Sequence, residues 1–218
     1  MLPLIPRRTG DGPMTLLALG AHSDDIEIGC AGTILKLIEQ GVVSEVWWVV
    51  LTGETTRAAE ARESANALLG DMPGRHVILK DFRDGYFPYD GAAIKGFFEE
   101  LKGQVSPDLI LTHQRSDLHQ DHRVTCELTW NTFRDHLILE YEIPKYDGDM
   151  GRPNLYVGLG ESLCRKKIDH LMTYFGTQLT KRWFQEDLFT GLLRLRGMEC
   201  NSPTSYAEAF YCRKAVLT

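Results

Sequence analysis

Residues 21–30 read AHSDDIEIGC and residues 113–123 read HQRSDLHQDHR. In the first stretch His22 and Asp25 stand three apart behind the apolar run TLLALG, with Asp24 between them; the second sets His119 and His122 among Asp117 and Asp121. Carboxylates at the mouth of a buried strand cost solvation energy unless a metal ion, a helix N-terminus or solvent compensates. A His and an Asp three residues apart, joined by a His from another loop, make three N/O ligands that suit a catalytic zinc with one position open to water. A divalent ion lowers the pKa of that water from about 15.7 toward about 7, so a neighbouring carboxylate takes its proton at neutral pH. Asp24, beside Asp25 and not needed for coordination, is the natural base. The remaining His of the second stretch is suited to polarising a carbonyl or protonating a leaving group.

Each piece has a plainer reading. A DD pair after a strand, taken alone, is a helix cap accepting backbone N–H bonds. His22 alone is a turn histidine, and HQDH alone is a weak metal signal. Two such clusters at matching strand ends favour the metal. His76, His113, His136 and His170 lack such company and read as structural. GCAGT (29–33) is not the G-x-G-x-x-G spacing of a dinucleotide turn, and neither a G-x-S-x-G elbow nor a Walker A sequence occurs.

The elements that must position these clusters follow a beta-alpha-beta rhythm. Strand-like runs at 14–20, 43–52, 76–80, 107–113 and 137–144 alternate with helix-like stretches, and the strands are near-continuous apolar runs, as a sheet covered on both faces requires. The expected fold is α/β, a single Rossmann-like domain with a mostly parallel sheet and helices on both faces. In such a sheet ligands bind beyond the carboxyl ends of the strands, where both clusters fall. The first helix shows an apolar face from Ala31 through Ile34, Leu35 and Ile38, and Gly41 stops it. Turn-rich KYDGDMGRPN (145–154) separates the sheet-forming part from a C-terminal part with helical stretches near 162–175 and 181–198 and a late strand at 206–213.

Composition sets the outer bounds. The chain has 218 residues, 43% of them hydrophobic, and a formal net charge of −6, which argues against a nucleic-acid groove. Five scattered cysteines form no CxxC pair, so a disulfide framework is not indicated and a reducing cytoplasm fits. MLPLIPRRTGDGPM is too interrupted for a signal peptide, and no segment approaches the roughly 20 apolar residues of a membrane span.

With AHSDDIEIGCAGT and HQDHR in view, the chain resembles the PIG-L or LmbE-like zinc-dependent de-N-acetylase family, whose motifs are normally AHPDD and HxDH. RAAEARESANALLG, FRDG and YAEAF are similar to further family features, so the likeness runs from about residue 14 to 213. The resemblance implies one domain over 1–218, with 1–13 an N-terminal extension and 145–218 completing the pocket. It also implies that His22, Asp25 and His122 hold Zn2+, or another divalent ion such as Fe2+. Asp24 would be the general base and His119 the oxyanion stabiliser or acid. Asp121 would orient His119 and keep it protonated, while Arg57 and Asp84 would grip the substrate. Ser23 departs from the family's proline.

The implied reaction is hydrolysis of an N-acetyl group from an N-acetylglucosamine-type amino sugar or conjugate, releasing acetate. Hydrolysis of another amide or ester, and a non-catalytic sugar-binding module, are the rival readings. The expected partner is a small-molecule amino sugar, with no nucleic acid and no integral membrane segment; homo-oligomerisation is left open. Trp183, Phe184 and Phe189 read as core or subunit interface rather than pocket wall.

Overall fold

The computed structural model describes residues 12–216; residues 1–11 of the expected N-terminal extension, Arg7 and Arg8 included, and residues 217–218 lie outside the described residues. The first half of the chain alternates strand and helix: β1 (Met14–Gly20), α1 (Asp25–Glu39), β2 (Val43–Val50), α2 (Thr55–Leu69), β3 (Gly74–Leu79) and α3 (Phe87–Gln104). It continues through β4 (Leu109–His113), α4 (Gln120–Thr132), β5 (Leu137–Tyr141), β6 (Leu155–Gly158), α5 (Glu161–Tyr174), α6 (Glu186–Glu199) and β7 (Ala207–Cys212).

The strands form one seven-stranded sheet in the order β3-β2-β1-β4-β5-β7-β6. The pairs β1–β2, β2–β3, β1–β4 and β4–β5 are parallel, whereas β7 runs antiparallel to both β5 and β6. The chain builds outward from β1 to β3 and then crosses back to β4, so the order reverses between β1 and β4. That reversal opens a crevice at the carboxyl ends of these two strands, where the two polar clusters begin.

Side chains of β1 alternate between two cores. Leu16 and Ala18 pack with Ile34 of α1, Leu68 of α2, Ile168 of α5 and Leu193 of α6, while Leu17 and Leu19 pack with Phe98 and Leu101 of α3. Val124 and Leu128 of α4 join this second core. Helices on both faces explain why β1 reads as an unbroken apolar run. Phe184 and Phe189 are buried in the first core, as expected.

Helix α1 starts at Asp25 rather than Ala31 because residues 25–35 are buried all round and carry no one-sided stripe. The region after 154 is also more than an appendage, since it supplies two strands of the sheet. The missed one, β6, is four half-buried residues at an edge, too short for a periodic signal.

YAEAF acquires a packing role. Glu208 of β7 accepts hydrogen bonds from the Gly32 and Thr33 N–H groups of α1 at 2.9 and 2.6 Å, and Lys167 of α5 bridges Glu208 Oε1 and the Ile28 carbonyl, both at 2.6 Å. A Cβ on Gly32 would meet Leu159 Cδ1 at 2.5 Å and Glu208 Oε1 at 2.9 Å, so only glycine permits this approach. Both charges are buried. Replacing Lys167 with Met leaves Glu208 without its cation and is expected to cost about 3–5 kcal/mol. A urea midpoint that falls at unchanged slope is the expected result, and an unmoved midpoint would show the pair to be energetically idle.

Candidate active site

β1 stops at Gly20, where an added Cβ would meet Ile26 Cγ1 at 3.0 Å and the His22 carbonyl at 3.2 Å, and the chain turns sharply into α1. The His22 N–H donates to Asp25 Oδ2 at 2.6 Å and closes this turn. Asp24 sits just before α1, yet its side chain makes no capping bond, so the plain helix-cap reading of the DD pair does not describe it. From the second strand, β4 ends at His113 and the following loop delivers His119 and His122 at the start of α4.

Three donors expected to converge do so. His22 Nδ1 lies 3.1 Å from His122 Nε2 and 3.3 Å from Asp25 Oδ2, and His122 Nε2 lies 3.5 Å from Asp25 Oδ1. The two ring nitrogens thus face different oxygens of the same carboxylate, close enough for the three side chains to approach one ion. Carboxylates hold the far side of each ring. His122 Nδ1 meets Asp117 Oδ2 at 2.9 Å, and His22 Nε2 meets Asp84 Oδ1 at 3.1 Å and Asp121 Oδ2 at 3.3 Å. Such outer partners fix ring orientation and raise ligand basicity.

The electrostatics favour a cation at this point. Burial alone would lower the His22 pKa, but Asp25 and hydrogen bonds with Asp121, Asp25 and Asp84 hold it well above the usual imidazole range. Burial opposes charge on Asp25 too, and is overcome by His122, His113 and His22, which hold the carboxyl well below its usual range. His122 is pushed down to about 3 by burial and by His113, leaving a neutral ring. Asp24 is raised, by burial first and Asp25 second, against the pull of Arg57 and His22. A raised carboxyl holds a proton more readily than an ordinary one, which suits a group that takes up a proton and passes it on.

Arg57, in the first turn of α2, spans the approach. Its Nε donates to Ser23 Oγ at 3.1 Å, Nη1 to Asp84 Oδ2 at 3.0 Å and Nη2 to Asp24 Oδ1 at 3.4 Å. Ser23, the residue without a sequence-level account, thus anchors an arginine that a proline could not hold. Asp84 is placed opposite His22 by the turn at Gly85, which has φ +79°.

Two residues differ from expectation. The Asp121 carboxylate does not orient His119; it accepts the Gly85 and Phe87 N–H groups at 2.6 and 3.2 Å and faces His22. His119 Nδ1 instead accepts the Asp121 backbone N–H at 3.3 Å, which places the proton of a neutral ring on Nε2. Burial and the neighbouring His22 hold His119 below the ordinary imidazole range, outweighing the opposite pull of Asp121, Asp25 and Asp117. The second correction concerns His113, which belongs to the site rather than to the structural histidines. Its Nε2 accepts the Ala21 N–H at 3.0 Å, lies 3.2 Å from Asp25 Oδ2, and its ring stacks on His122 with centroids 3.9 Å apart. The missed signal was its place as the last residue of β4, beside the strand-order reversal. His22, His119 and His122 form one close-set group, and Asp25, His113 and His122 an overlapping one.

Asp121→Ala strips the buried Phe87 N–H and the half-buried Gly85 N–H of their acceptor and is expected to lower stability by about 1–3 kcal/mol. Faster hydrogen exchange at Gly85 and Phe87 is the diagnostic readout; unchanged protection there would contradict this role.

Comparison with known proteins agrees with the geometry. The family model described as PIG-L: GlcNAc-PI de-N-acetylase matches residues 17–133, which include both clusters. The uncharacterized deacetylase YaiS of Escherichia coli K12 is 31% identical over 140 residues, 59% of this chain and 74% of its own length. Among solved structures, the 4-carboxy-2-hydroxymuconate hydratase GalB of Pseudomonas putida KT2440 superposes with a TM-score of 0.75 at 19% identity, covering 94% of this chain and 98% of that one. The N,N'-diacetylchitobiose deacetylase of Pyrococcus horikoshii gives 0.67 at 22% identity, covering 90% and 82%. These structural likenesses establish the shared fold. The family match, over more than half of the chain, makes this protein a member of the PIG-L, GlcNAc-PI de-N-acetylase, family.

Proposed function

We propose that the protein is a metal-dependent hydrolase that removes the N-acetyl group from an N-acetylglucosamine-type amino sugar or conjugate and releases acetate. The observation that carries this reading is the convergence of His22 Nδ1, Asp25 and His122 Nε2 within 3.5 Å of one another, with the raised carboxyl of Asp24 alongside. His22, Asp25 and His122 would hold the ion, with Zn2+ the first candidate and Fe2+ a second. When bound, the ion supplies Lewis acidity, acidifying a water and polarising an acyl oxygen.

The protein's own groups then divide the work. Asp24 takes the proton of the attacking water, and its raised pKa lets it return that proton to the departing amine nitrogen. His119, with Nδ1 engaged by the Asp121 N–H, presents an Nε2–H donor that stabilises the developing oxyanion. Arg57 and Asp84 lie at the entrance, 21% and 40% exposed, and engage sugar hydroxyls. Asp121 acts by holding His22 and the 85–87 turn. A reducing, cytoplasmic setting belongs to the same reading; all five cysteines are free thiols, and no helix among the described residues is long and apolar enough to cross a membrane.

Metal-replete protein incubated with a panel of N-acetylglucosamine conjugates is expected to release free amine and acetate, and a chelator to abolish release. Cleavage of acetyl esters with all N-acetyl sugars untouched would favour the ester reading, and binding without turnover a sugar-binding module. Asp24→Ala is expected to retain metal and lose most turnover, a loss of about 10²–10⁴-fold for a general base. His122→Ala is expected to lose metal affinity. Full activity in both would sink the assignment. Because His22 is held well above 6.5 without metal, ion binding at pH 7 must displace its proton. Affinity is therefore expected to fall as pH drops, and calorimetry in buffers of different ionisation enthalpy to show proton release; buffer-independent heats would argue against it.

A further inference from the structure

Residues 145–154 look like a spacer in the sequence, but Lys145 at their start turns inward. Its Nζ lies 3.0 Å from Asp117 Oδ1, pairs with the Asp149 carboxylate and reaches the Ile143 carbonyl at 3.5 Å. The side chains of Lys145, Asp117 and Asp149 are only 8%, 0% and 3% exposed, so this is a buried cation between two buried carboxylates. Asp149 is itself tied to the active-site loop, since its Oδ2 accepts the Leu118 N–H at 2.7 Å and its carbonyl accepts Gln114 Nε2 at 3.4 Å. Asp117 is the group both histidines of the second cluster lean on: Oδ2 meets His122 Nδ1 at 2.9 Å, and Oδ1 accepts the His119 N–H at 2.8 Å.

We infer that Lys145 is a positioning residue of the metal centre, acting through Asp117 to aim His122 Nε2 at His22 and Asp25. The inference rests on the proposed reading of His22, Asp25 and His122 as metal ligands. The physics is that of an outer-sphere carboxylate. Asp117 can steer the His122 ring only while its own plane is fixed, and Lys145 fixes it from the side away from His122. A buried carboxylate also needs a paired cation to remain where it is. The 145–150 turn thereby becomes part of the metal site, although it contributes no ligand to it.

The test measures Zn2+ affinity of the metal-free full chain by competition with a chromophoric chelator. The proteins are the unaltered chain, Lys145→Met, Lys145→Arg, His122→Ala and the double variant Lys145→Met/Asp149→Asn. The double variant removes one positive and one negative buried charge together, so it remains informative if the single Met variant does not fold. Loss of an outer partner typically weakens metal binding about 10–100-fold, and that loss is expected for Lys145→Met and the double variant. Lys145→Arg, which keeps the charge, is expected to restore most of it. The slowly exchanging Nδ1 proton of His122 is expected in the unaltered chain and Lys145→Arg and to be lost without Lys145; a purely structural lysine would not move this resonance in a folded protein. A double variant that is folded by circular dichroism and binds Zn2+ as tightly as the unaltered chain overturns the role of Lys145 alone. An unaltered chain that binds Zn2+ no better than His122→Ala overturns the ligand assignment and this inference with it.

Discussion

A buried carboxylate, Asp25, sits beyond the carboxyl end of β1 at the start of α1, and the site is arranged around that fact. Taking an ionised carboxyl out of water costs several kcal/mol even after the surroundings relax. Asp25 is compensated from every side: by the His22 N–H, by three imidazoles and by the positive end of α1. Further carboxylates orient two of the rings, Asp84 and Asp121 for His22 and Asp117 for His122, whereas His113 Nε2 accepts the Ala21 N–H. The result is a nest of alternating acids and bases whose close-set donor atoms could hold a metal ion.

The cost of that nest is spread over distant parts of the chain. Asp121 doubles as the acceptor for the turn that carries Asp84, Asp117 leans on Lys145, and Arg57 is held by Ser23, Asp24 and Asp84 together. Behind α1, the Lys167–Glu208 pair grips the same helix whose first residue is Asp25. Loops and helices outside the cluster therefore bear on its geometry, because buried polar groups need partners.

The fold alone does not select a reaction. A hydratase and a deacetylase superpose on this chain with TM-scores of 0.75 and 0.67, so the architecture is shared by proteins named for different reactions. Any reaction must be argued from the side chains set on that architecture, among them the raised carboxyl of Asp24 and the His119 ring whose Nδ1 accepts the Asp121 N–H.

Much of this was legible in one dimension. Apolar runs bounded by turns marked the five parallel strands, and types and spacing suited to a metal at the ends of two of them marked His22, Asp25 and a histidine of the second cluster, with the family resemblance choosing His122 over His119. Asp24 followed from adjacency. Local sequence could say which groups are chemically able, since that depends on residue type. It could not say which groups meet, since that depends on strand order and on the direction each side chain takes once buried. His113 looked isolated until β4 was laid beside β1, and the partner of Asp121 was decided by where the 82–87 loop crosses α4. Ser23 had no account until α2 brought Arg57 over it. Lys145 looked like part of a spacer because nothing in its neighbours foretells that its ammonium reaches a buried aspartate 28 positions earlier. Contacts of that range are set by the packing of whole elements, which only the tertiary structure contains.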